Sequence, residues 1–302
     1  MGRDAYSPMV GARSVTSDAT QDGAHYLLGH TDHELRRLDI QGDLYRDATL
    51  LAFRDAGIEP GMRVLDIGCG TGDVSRAVAT VVGEAGSVLG IDRGERAVEA
   101  AREWARDQGL NNVDFAVSEI DEFHSTANFD AVVGRFILMH QPDPAQVLAS
   151  VVRSLRAGGV VCMIESYMDA LLSGPHSFPA SPLYDEIVRW KSTVVAGAGS
   201  DLHAGGRLKQ LFGAAGLPQP RARLEARLEG GADSPYYEYI AHSVRSMLPE
   251  AERQGLGGFT NADADTLERR LRDEVLASRG MLVAWPVVAA FCRTETAPAT
   301  AP

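Results

Sequence analysis

The chain of 302 residues contains three cysteines, Cys69, Cys162 and Cys292, which show neither metal-site spacing nor a disulfide framework. It also lacks an N-terminal apolar signal core, and no apolar run approaches the roughly 18 residues of a membrane-spanning helix. These absences predict a soluble, cytoplasmic protein that has no bound metal and no membrane partner.

Basic residues are too few to balance the acidic ones. The 29 Lys and Arg residues stand against 41 Asp and Glu residues, which gives a formal net charge of -12. Because phosphate binding needs a basic face, this charge argues against a nucleic-acid partner, although a local basic patch stays open. The length suits one large domain, or one domain with a sizeable insertion.

The glycine-rich stretch after the first predicted strand lacks the spacing of a dinucleotide fingerprint. Val64–Ile67 is a short apolar run typical of a buried parallel strand, and a helix begins at Val74. Neither register gives Gly-x-Gly-x-x-Gly; the order from Asp66 to Gly72 is Asp-x-Gly-x-Gly-x-Gly. A carboxylate at the strand end would repel a pyrophosphate and attract an ammonium group, so we expect a ligand other than NAD. A tight structural turn is the alternative.

A second carboxylate, Asp92, ends the next predicted strand, Ser87–Asp92. An acidic residue about twenty or more positions after such a loop can accept hydrogen bonds from both ribose hydroxyls. Its alternative role is to cap the following helix, and the two roles are compatible.

Strand and helix patterns alternate from residue 64 to residue 166, which predicts a doubly wound parallel sheet whose ligand lies at the carboxyl ends of the strands. A helix is predicted to run through Leu155 and to end at 157–159. Residues 221–229 alternate strictly and predict one strand, 230–280 predicts helices, and the last strand is expected at Val287–Cys292.

The Asp66-to-Gly72 pattern resembles motif I of the class I S-adenosylmethionine (SAM) methyltransferases. Tyr26-Leu27-Leu28-Gly29 and the pattern from Glu34 to Gln41 resemble the N-terminal segment of UbiE-like small-molecule methyltransferases. The resemblance covers about residues 25–293. It implies an α/β fold with a doubly wound, seven-stranded, mostly parallel sheet (a Rossmann-like methyltransferase fold), an antiparallel last pair and helical lid insertions.

The resemblance also implies a set of cofactor contacts. The residues expected to contact SAM are Tyr26, Gln41, Asp66, Gly68, Cys69, Gly70, Asp92, Arg93, Glu119, Ile120 and Arg135. Glu119 stands where the family more often has Asp, and it would meet the adenine amino group while Ile120 offers its backbone N–H. Arg135 would contact the methionine carboxylate or an anionic substrate, with a structural salt bridge as the alternative. For Tyr26 and Gln41 the alternative is helix packing.

The segment after the fourth strand, 134–142, lacks the Asp/Asn-Pro-Pro-aromatic motif of enzymes that methylate base nitrogens and resembles that of the small-molecule family. His140 in this segment is the candidate general base, and a structural histidine is the alternative. Arg207, Tyr236 and Tyr237 are the candidate substrate contacts.

We therefore expect a SAM-dependent methyltransferase that transfers a methyl group to oxygen or nitrogen of a small organic acceptor by in-line displacement. The main alternative is a SAM-binding protein with a non-methylating reaction or a binding role. A nicotinamide oxidoreductase is disfavoured by the glycine spacing, and an RNA methyltransferase by the charge.

The expected organisation has five parts. They are a disordered tail at 1–23, an N-terminal helical cap at 24–56, a SAM-binding core at 57–166, the rest of the sheet with a substrate lid at 167–293, and a disordered tail at 294–302. The segments 24–56, 167–200 and 230–280 are expected to form a lid that is mobile without ligand. The alternative is an oligomer interface, which leaves a homodimer open.

Overall fold

The computed structural model describes residues 32–123 and 128–295, with side chains from residue 36 onward. Tyr26, the predicted tail at 1–23 and residues 296–302 of the predicted tail at 294–302 lie outside the described residues. The helices are α1 (Asp32–Ala56), α2 (Asp73–Val82), α3 (Glu95–Asp107), α4 (Pro144–Val152), α5 (Asp169–Leu172), α6 (Pro182–Gly197), α7 (Ala204–Ala214), α8 (Tyr236–Arg253) and α9 (Asn261–Ser278). Within these described ranges, no helix combines the length and apolar character that crossing a membrane requires.

The strands form one large and one small sheet. They are β1 (Arg63–Ile67), β2 (Ser87–Asp92), β3 (Val113–Val117), β4 (Phe129–Arg135), β5 (Leu155–Ser166), β6 (Ser177–Phe178), β7 (Arg221–Glu225), β8 (Leu228–Glu229), β9 (Met281–Val283) and β10 (Val287–Arg293). The seven-stranded sheet has the order β3-β2-β1-β4-β5-β10-β7, and the three-stranded sheet has the order β6-β9-β8.

The large sheet confirms the predicted fold class. Strands β1 to β5 pair in parallel, and β10 pairs antiparallel with both β5 and β7. The chain moves outward from β1 through β2 to β3 and then returns to place β4 on the other side of β1. The order of the strands therefore reverses between β1 and β4, and a crevice opens there at their carboxyl ends.

The core lies on both faces of this sheet. Val64 and Val133 face the layer of α1, α2 and α3, whereas Leu65 and Val132 face α4 and α7, and all four side chains are fully buried. Burial of both faces explains why these strands read as continuous apolar runs in the sequence. Burial of each such side chain contributes about 1.5–3 kcal/mol to the stability of the fold. This burial holds the strands in place, and the site lies at their ends.

Two details of the predicted secondary structure were wrong. Residues 221–229 form two strands in different sheets, and the apolar side of the alternation stays in solvent, with Leu224 59% and Leu228 56% exposed. The helix predicted through Leu155 ends at Val152, because Leu155 already pairs with Phe129 at the start of β5. Local periodicity could not reveal either pairing partner.

Candidate functional site

A cavity of about 520 Å³ lies at the carboxyl ends of the parallel strands, at the point where the strand order reverses. Its lining comes from the turns after β1, β2, β3 and β4, from helices α1, α6 and α8, and from the residue Trp285 just before β10. Such a position is the usual ligand site of an open α/β sheet.

The turn after β1 forms a cradle that needs its glycines for two reasons. Gly68, Gly70 and Gly72 have φ angles of +66°, +53° and +84°, which side chains rarely adopt. A Cβ atom on Gly68 would come within 2.5 Å of the Ile137 side chain, so this position has no room for one. The atom nearest to a Cβ on Gly70 would be 4.0 Å away, because this residue faces the cavity. A ligand can therefore lie directly against the backbone.

Asp92 is fixed at the edge of this cradle. Its Oδ2 accepts a hydrogen bond from the N–H of Gly70 at 2.9 Å, and its Oδ1 accepts from the N–H of Gly94 at 2.8 Å. The N-cap of α3 is Gly94, so Asp92 does not cap the helix itself. Each carboxylate oxygen keeps a further lone pair, and the side chain lines the cavity. The geometry can therefore accept two hydroxyl groups of a ligand.

Asp66 lies beneath the cradle rather than on the cavity wall, which corrects the expectation that it lines the site. Its Oδ2 accepts a hydrogen bond from Ser75 Oγ at 2.6 Å, and its Oδ1 has no partner among the described residues. Burial raises the pKa of this carboxyl to about 8, and the Ser75 hydrogen bond opposes the shift. An acidic group below the backbone cradle favours a ligand that carries a positive charge there, because that charge would stabilise the ionised form of the carboxyl.

The remaining expected cofactor residues lie around the same end of the cavity. Cys69, Arg93, Glu119 and Ile120 all line it; Cys69 and Ile120 are buried, whereas Arg93 and Glu119 are exposed. Burial raises the pKa of the Cys69 thiol well above its ordinary value, so this side chain is an uncharged wall.

Arg135, at the end of β4, is held by structural partners. Its guanidinium forms a salt bridge with Asp73 and donates a hydrogen bond to Thr49 Oγ1 at 2.9 Å. The rings of Tyr45 and Phe136 lie 6.0 and 5.4 Å from the guanidinium carbon. The salt bridge that the sequence left as the alternative is present, and Arg135 lines the cavity as well.

His140 lines the cavity but is a poor base. Its Nδ1 lies 2.8 Å from Ser200 Oγ, and burial, followed by the charges of Arg37 and Arg93, lowers its pKa to about 4. The imidazole is therefore uncharged at neutral pH and binds a proton weakly. Glu165 fixes this segment, because its carboxylate accepts hydrogen bonds from the N–H groups of the turn that carries His140.

The three expected substrate residues do not line the cavity. Arg207 is exposed and pairs with Asp201 at 2.7 Å. The hydroxyl groups of Tyr236 and Tyr184 lie 2.6 Å apart, and Tyr237 is buried against the guanidinium of Arg272. On α8 the helical period of 3.6 residues turns positions 236 and 237 away from the cavity, and position 239 faces it.

Tyr239 belongs to a group of lining residues that sequence reasoning missed. Its hydroxyl donates to Gln41 Oε1 at 3.4 Å, and the same oxygen accepts from Arg37 Nη1 at 2.6 Å. Gln41 lines the cavity, so the residue expected to contact SAM also joins α1 to α8. The hydrogen bond between Tyr239 and Gln41 thus joins two helices that line the cavity.

Lys191, on α6, was also missed. It is 3% exposed, and its Nζ lies 5.3 Å from the ring centre of Tyr239 and 5.0 Å from that of Trp285. Burial, together with the charge of Arg37, lowers the pKa of its amine to about 7. The sequence held one signal: of its 29 basic residues, Lys191 and Lys209 are the two lysines.

The strand order, the glycine cradle after β1 and the carboxylate after β2 define the class I SAM-dependent methyltransferase fold. Residues 58–216 match a family model described as a methyltransferase domain, and the chain belongs to this family.

Curated relatives match part of the chain. One is the "Ubiquinone/menaquinone biosynthesis C-methyltransferase UbiE" of Vibrio cholerae, 33% identical over 148 residues, which are 48% of this chain and 55% of the relative. Another is the "Demethylmenaquinone methyltransferase" of Lactococcus lactis, 30% identical over 48% of this chain and 53% of that protein. The chain spans about half the length of the curated relatives it matches.

Solved structures share the fold. The YcgJ protein from Bacillus subtilis is similar with a TM-score of 0.54 at 17% identity, over 83% of this chain and 100% of that one. The cyclase SpnF gives a TM-score of 0.50 at 19% identity, over 83% of this chain and 81% of that one. At such identities the likeness concerns the fold alone.

Proposed function

We propose that this chain is an enzyme that transfers the methyl group of SAM to a small organic acceptor. The observation that carries the proposal is one cavity, which extends from the glycine cradle and Asp92 to the buried side chains of Lys191, Tyr239 and Trp285. Two ligands can therefore meet within one cavity, one against the backbone of the glycine cradle and the other among the side chains. The family membership and the names of the curated relatives support the same activity.

Bound SAM supplies a methyl group that its sulfonium already activates for displacement. In this proposal Asp92 accepts both ribose hydroxyls, and the backbone at 68–70 supports the methionine part above the buried carboxyl of Asp66. Positioning then carries much of the rate, because the two reacting atoms are held in line. The rings of Tyr239 and Trp285, which line the cavity, would help to exclude water from the reacting centre.

The other expected cofactor contacts remain part of the proposal. Glu119 and Ile120 would meet the adenine and Arg93 would flank it, because all three line the cavity beside the end of β3. Gln41 and Arg135 lie farther along the cavity and would face the methionine end.

The acceptor atom expected from the sequence is oxygen or nitrogen. The name of the Vibrio cholerae relative describes a C-methyltransferase, so carbon is the second candidate. Incubation with SAM carrying a ¹³C-methyl group and a set of small acceptors decides between them. The ¹³C chemical shift of the new methyl group in the product distinguishes an O-methyl, an N-methyl and a C-methyl group.

We also propose that α1, α6 and α8 act as a lid over the acceptor. Their residues line the cavity, and an ion pair between Arg36 and Glu238 at 2.9 Å joins α1 to α8 beside the Gln41–Tyr239 contact. Hydrogen exchange should slow at 36–56 and 236–253 when SAM binds. Equal and high protection without ligand, together with a dimeric mass by light scattering, would favour the oligomer interface instead.

Calorimetry tests the cofactor directly. We expect SAM and its demethylated product to bind and NAD not to bind. Binding of NAD without binding of SAM would overturn the proposal. Binding of SAM without transfer to any acceptor would instead favour a SAM-binding protein with another role.

A further inference from the structure

The chain uses arginine for nearly all of its positive charge, yet it has a lysine inside the cavity. Of its 29 basic residues, Lys191 and Lys209 are the lysines; Lys209 is exposed, whereas Lys191 is 3% exposed and lines the cavity. The two side chains differ in one chemical respect that matters here. An arginine stays protonated in proteins, whereas a buried lysine can release its proton and act as a base.

Among the residues that the structure describes, no carboxylate forms a hydrogen bond or an ion pair with Lys191. Its amine instead lies over the rings of Tyr239, from α8, and Trp285, from the segment before β10. The charged group that acts on it is Arg37 from α1, and this charge is positive. His140, on the turn after β4, is uncharged at neutral pH. Burial therefore removes the amine from water beside a second positive charge, and this lowers its pKa to about 7.

Among the described lining residues, helices α1, α6 and α8 contribute the cations Arg37 and Lys191 and no carboxylate. Arg135 also lines the cavity, and it forms a salt bridge with the carboxylate of Asp73. Aromatic side chains form the walls between these cations, with the Tyr45 and Phe136 rings 5.2 Å apart in an edge-to-face arrangement. An acceptor that is flat, and that becomes an anion when it reacts, complements both features.

We propose that Lys191 is the general base of the acceptor site and that it ionises an acidic hydroxyl group, such as a phenol or an enol, on the acceptor. This inference rests on the proposed function and deepens it. The lone pair of Nζ takes the hydroxyl proton, and the electron pair of the O–H bond stays on the acceptor oxygen. The resulting oxyanion, or a carbon conjugated with it, supplies the electron pair that forms the bond to the methyl carbon. The carbon–sulfur bond breaks as that bond forms, and its electrons neutralise the sulfonium.

The two lysines make a direct test possible. Protein grown with lysine labelled with ¹³C at Cε should give two side-chain signals, and Lys191→Met assigns the buried one by removing it. We expect this signal to titrate near pH 7, with the signal of exposed Lys209 as the reference in the same tube. A Lys191 signal that titrates together with that of Lys209 would overturn the proposal, because such an amine is protonated at neutral pH.

A chromogenic phenol tests the acceptor site without methyl transfer. In the presence of the demethylated cofactor product, 4-nitrophenol should bind the wild-type protein and turn yellow at a lower pH than it does in buffer, because the yellow form is the anion. Lys191→Met should weaken this binding at least about tenfold and abolish the shift. Nitrobenzene, which has no hydroxyl, should bind both proteins equally. Lys191→Arg should retain binding of the preformed anion but lose the proton transfer.

Two outcomes would overturn the role of Lys191 in this experiment: no binding of 4-nitrophenol to the wild type at millimolar concentration, and equal binding by Lys191→Met. Calorimetry with the cofactor product, run on the same samples, keeps the two proposals apart. If that product does not bind the wild type, the proposed function fails, whereas the lysine titration still reports on the base. If it binds wild type and variants equally while the phenol results fail, the failure concerns Lys191 alone.

Discussion

At the end of the cavity above β1, β2 and β3, the lining comes from the ends of those strands and the turns that follow them, including the glycines Gly68 and Gly70. At the other end, the lining consists of side chains from α1, α6, α8 and Trp285, which are distant in sequence. The first end is an acidic edge around a glycine cradle, and the second is a cationic space with aromatic walls. The difference teaches that one cavity can combine two kinds of binding surface. One is built on the backbone of a glycine turn, and the other consists of side chains from several helices.

Burial shifts the pKa of one group at each end of the cavity, an acid at the first end and an amine at the second. It raises the pKa of Asp66 to about 8 and lowers that of Lys191 to about 7. Each group thus favours its uncharged form when no ligand is present, and each would regain its charge beside a ligand group of opposite charge.

The largest expected effect tests the backbone end. Asp92→Ala removes a charged acceptor of two ligand hydroxyls, each worth about 1.5–3 kcal/mol, so SAM affinity should fall by at least about 100-fold. Calorimetry measures this loss, and Asp114→Ala, an exposed carboxylate on β3, is the control. A loss of SAM affinity below about threefold would show that Asp92 only accepts the backbone hydrogen bonds of Gly70 and Gly94 and does not bind the ligand.

The second prediction concerns the cradle itself. Gly68→Ala adds a Cβ that would lie 2.5 Å from Ile137, at a φ of +66°. The left-handed conformation costs about 1–2 kcal/mol and overpacking about 1–3 kcal/mol more, so the free energy of unfolding should fall by about 2–5 kcal/mol in urea denaturation. Gly61→Ala is the matched control, because Gly61 has a φ of +84° with no atom within 4 Å of the added Cβ. Equal losses in the two variants would show that the contact with Ile137 costs nothing.

The third prediction is a pH dependence of stability at Asp66. Between about pH 4 and pH 8 the folded protein keeps this proton while the unfolded chain has released it, so stability falls as the pH rises through that window. The slope is at most about 1.4 kcal/mol per pH unit for one proton. Asp66→Asn should flatten the curve of unfolding free energy against pH, measured by urea denaturation, whereas Asp114→Asn should leave it unchanged. An unaltered curve for Asp66→Asn would mean that the buried carboxyl ionises at its ordinary pH.

The smallest expected effect lies outside both ends. Arg207→Ala breaks the exposed pair with Asp201, which is worth about 0–1 kcal/mol at a surface. Stability should change by less than about 1 kcal/mol, and the affinities for SAM and for 4-nitrophenol should not change. A tenfold loss of affinity for either ligand would show that Arg207 contributes to ligand binding, although it does not line the cavity.

The backbone end could be read from the sequence because its residues are local. A buried strand, a glycine turn and a helix follow one another within about twenty residues, so the motif carries its own geometry. Asp92 ends the next strand of the same alternating pattern, and Ile120 follows the one after it. Because the carboxyl ends of parallel strands lie at one edge of the sheet, both residues are expected beside the glycine turn. Only Asp66 was misplaced, because the pattern cannot show that its side chain lies beneath the cradle rather than on the cavity wall.

The side-chain end could not be read in this way. Tyr236, Tyr237 and Tyr239 follow one another so closely that the pattern cannot tell which faces the cavity, and the rotation of α8 selects Tyr239. Lys191 and Trp285 are 94 residues apart in the numbering yet meet around one amine.

The sequence by itself therefore determined the alternation of strands and helices, the glycine cradle and the class of the fold, because strand and turn preferences act between near neighbours. The tertiary structure alone decided which helices close the cavity, which side chains face it, and how strongly burial shifts the proton affinity of Asp66, His140 and Lys191. These properties depend on what surrounds each group in space, and elements far apart in the chain supply those surroundings.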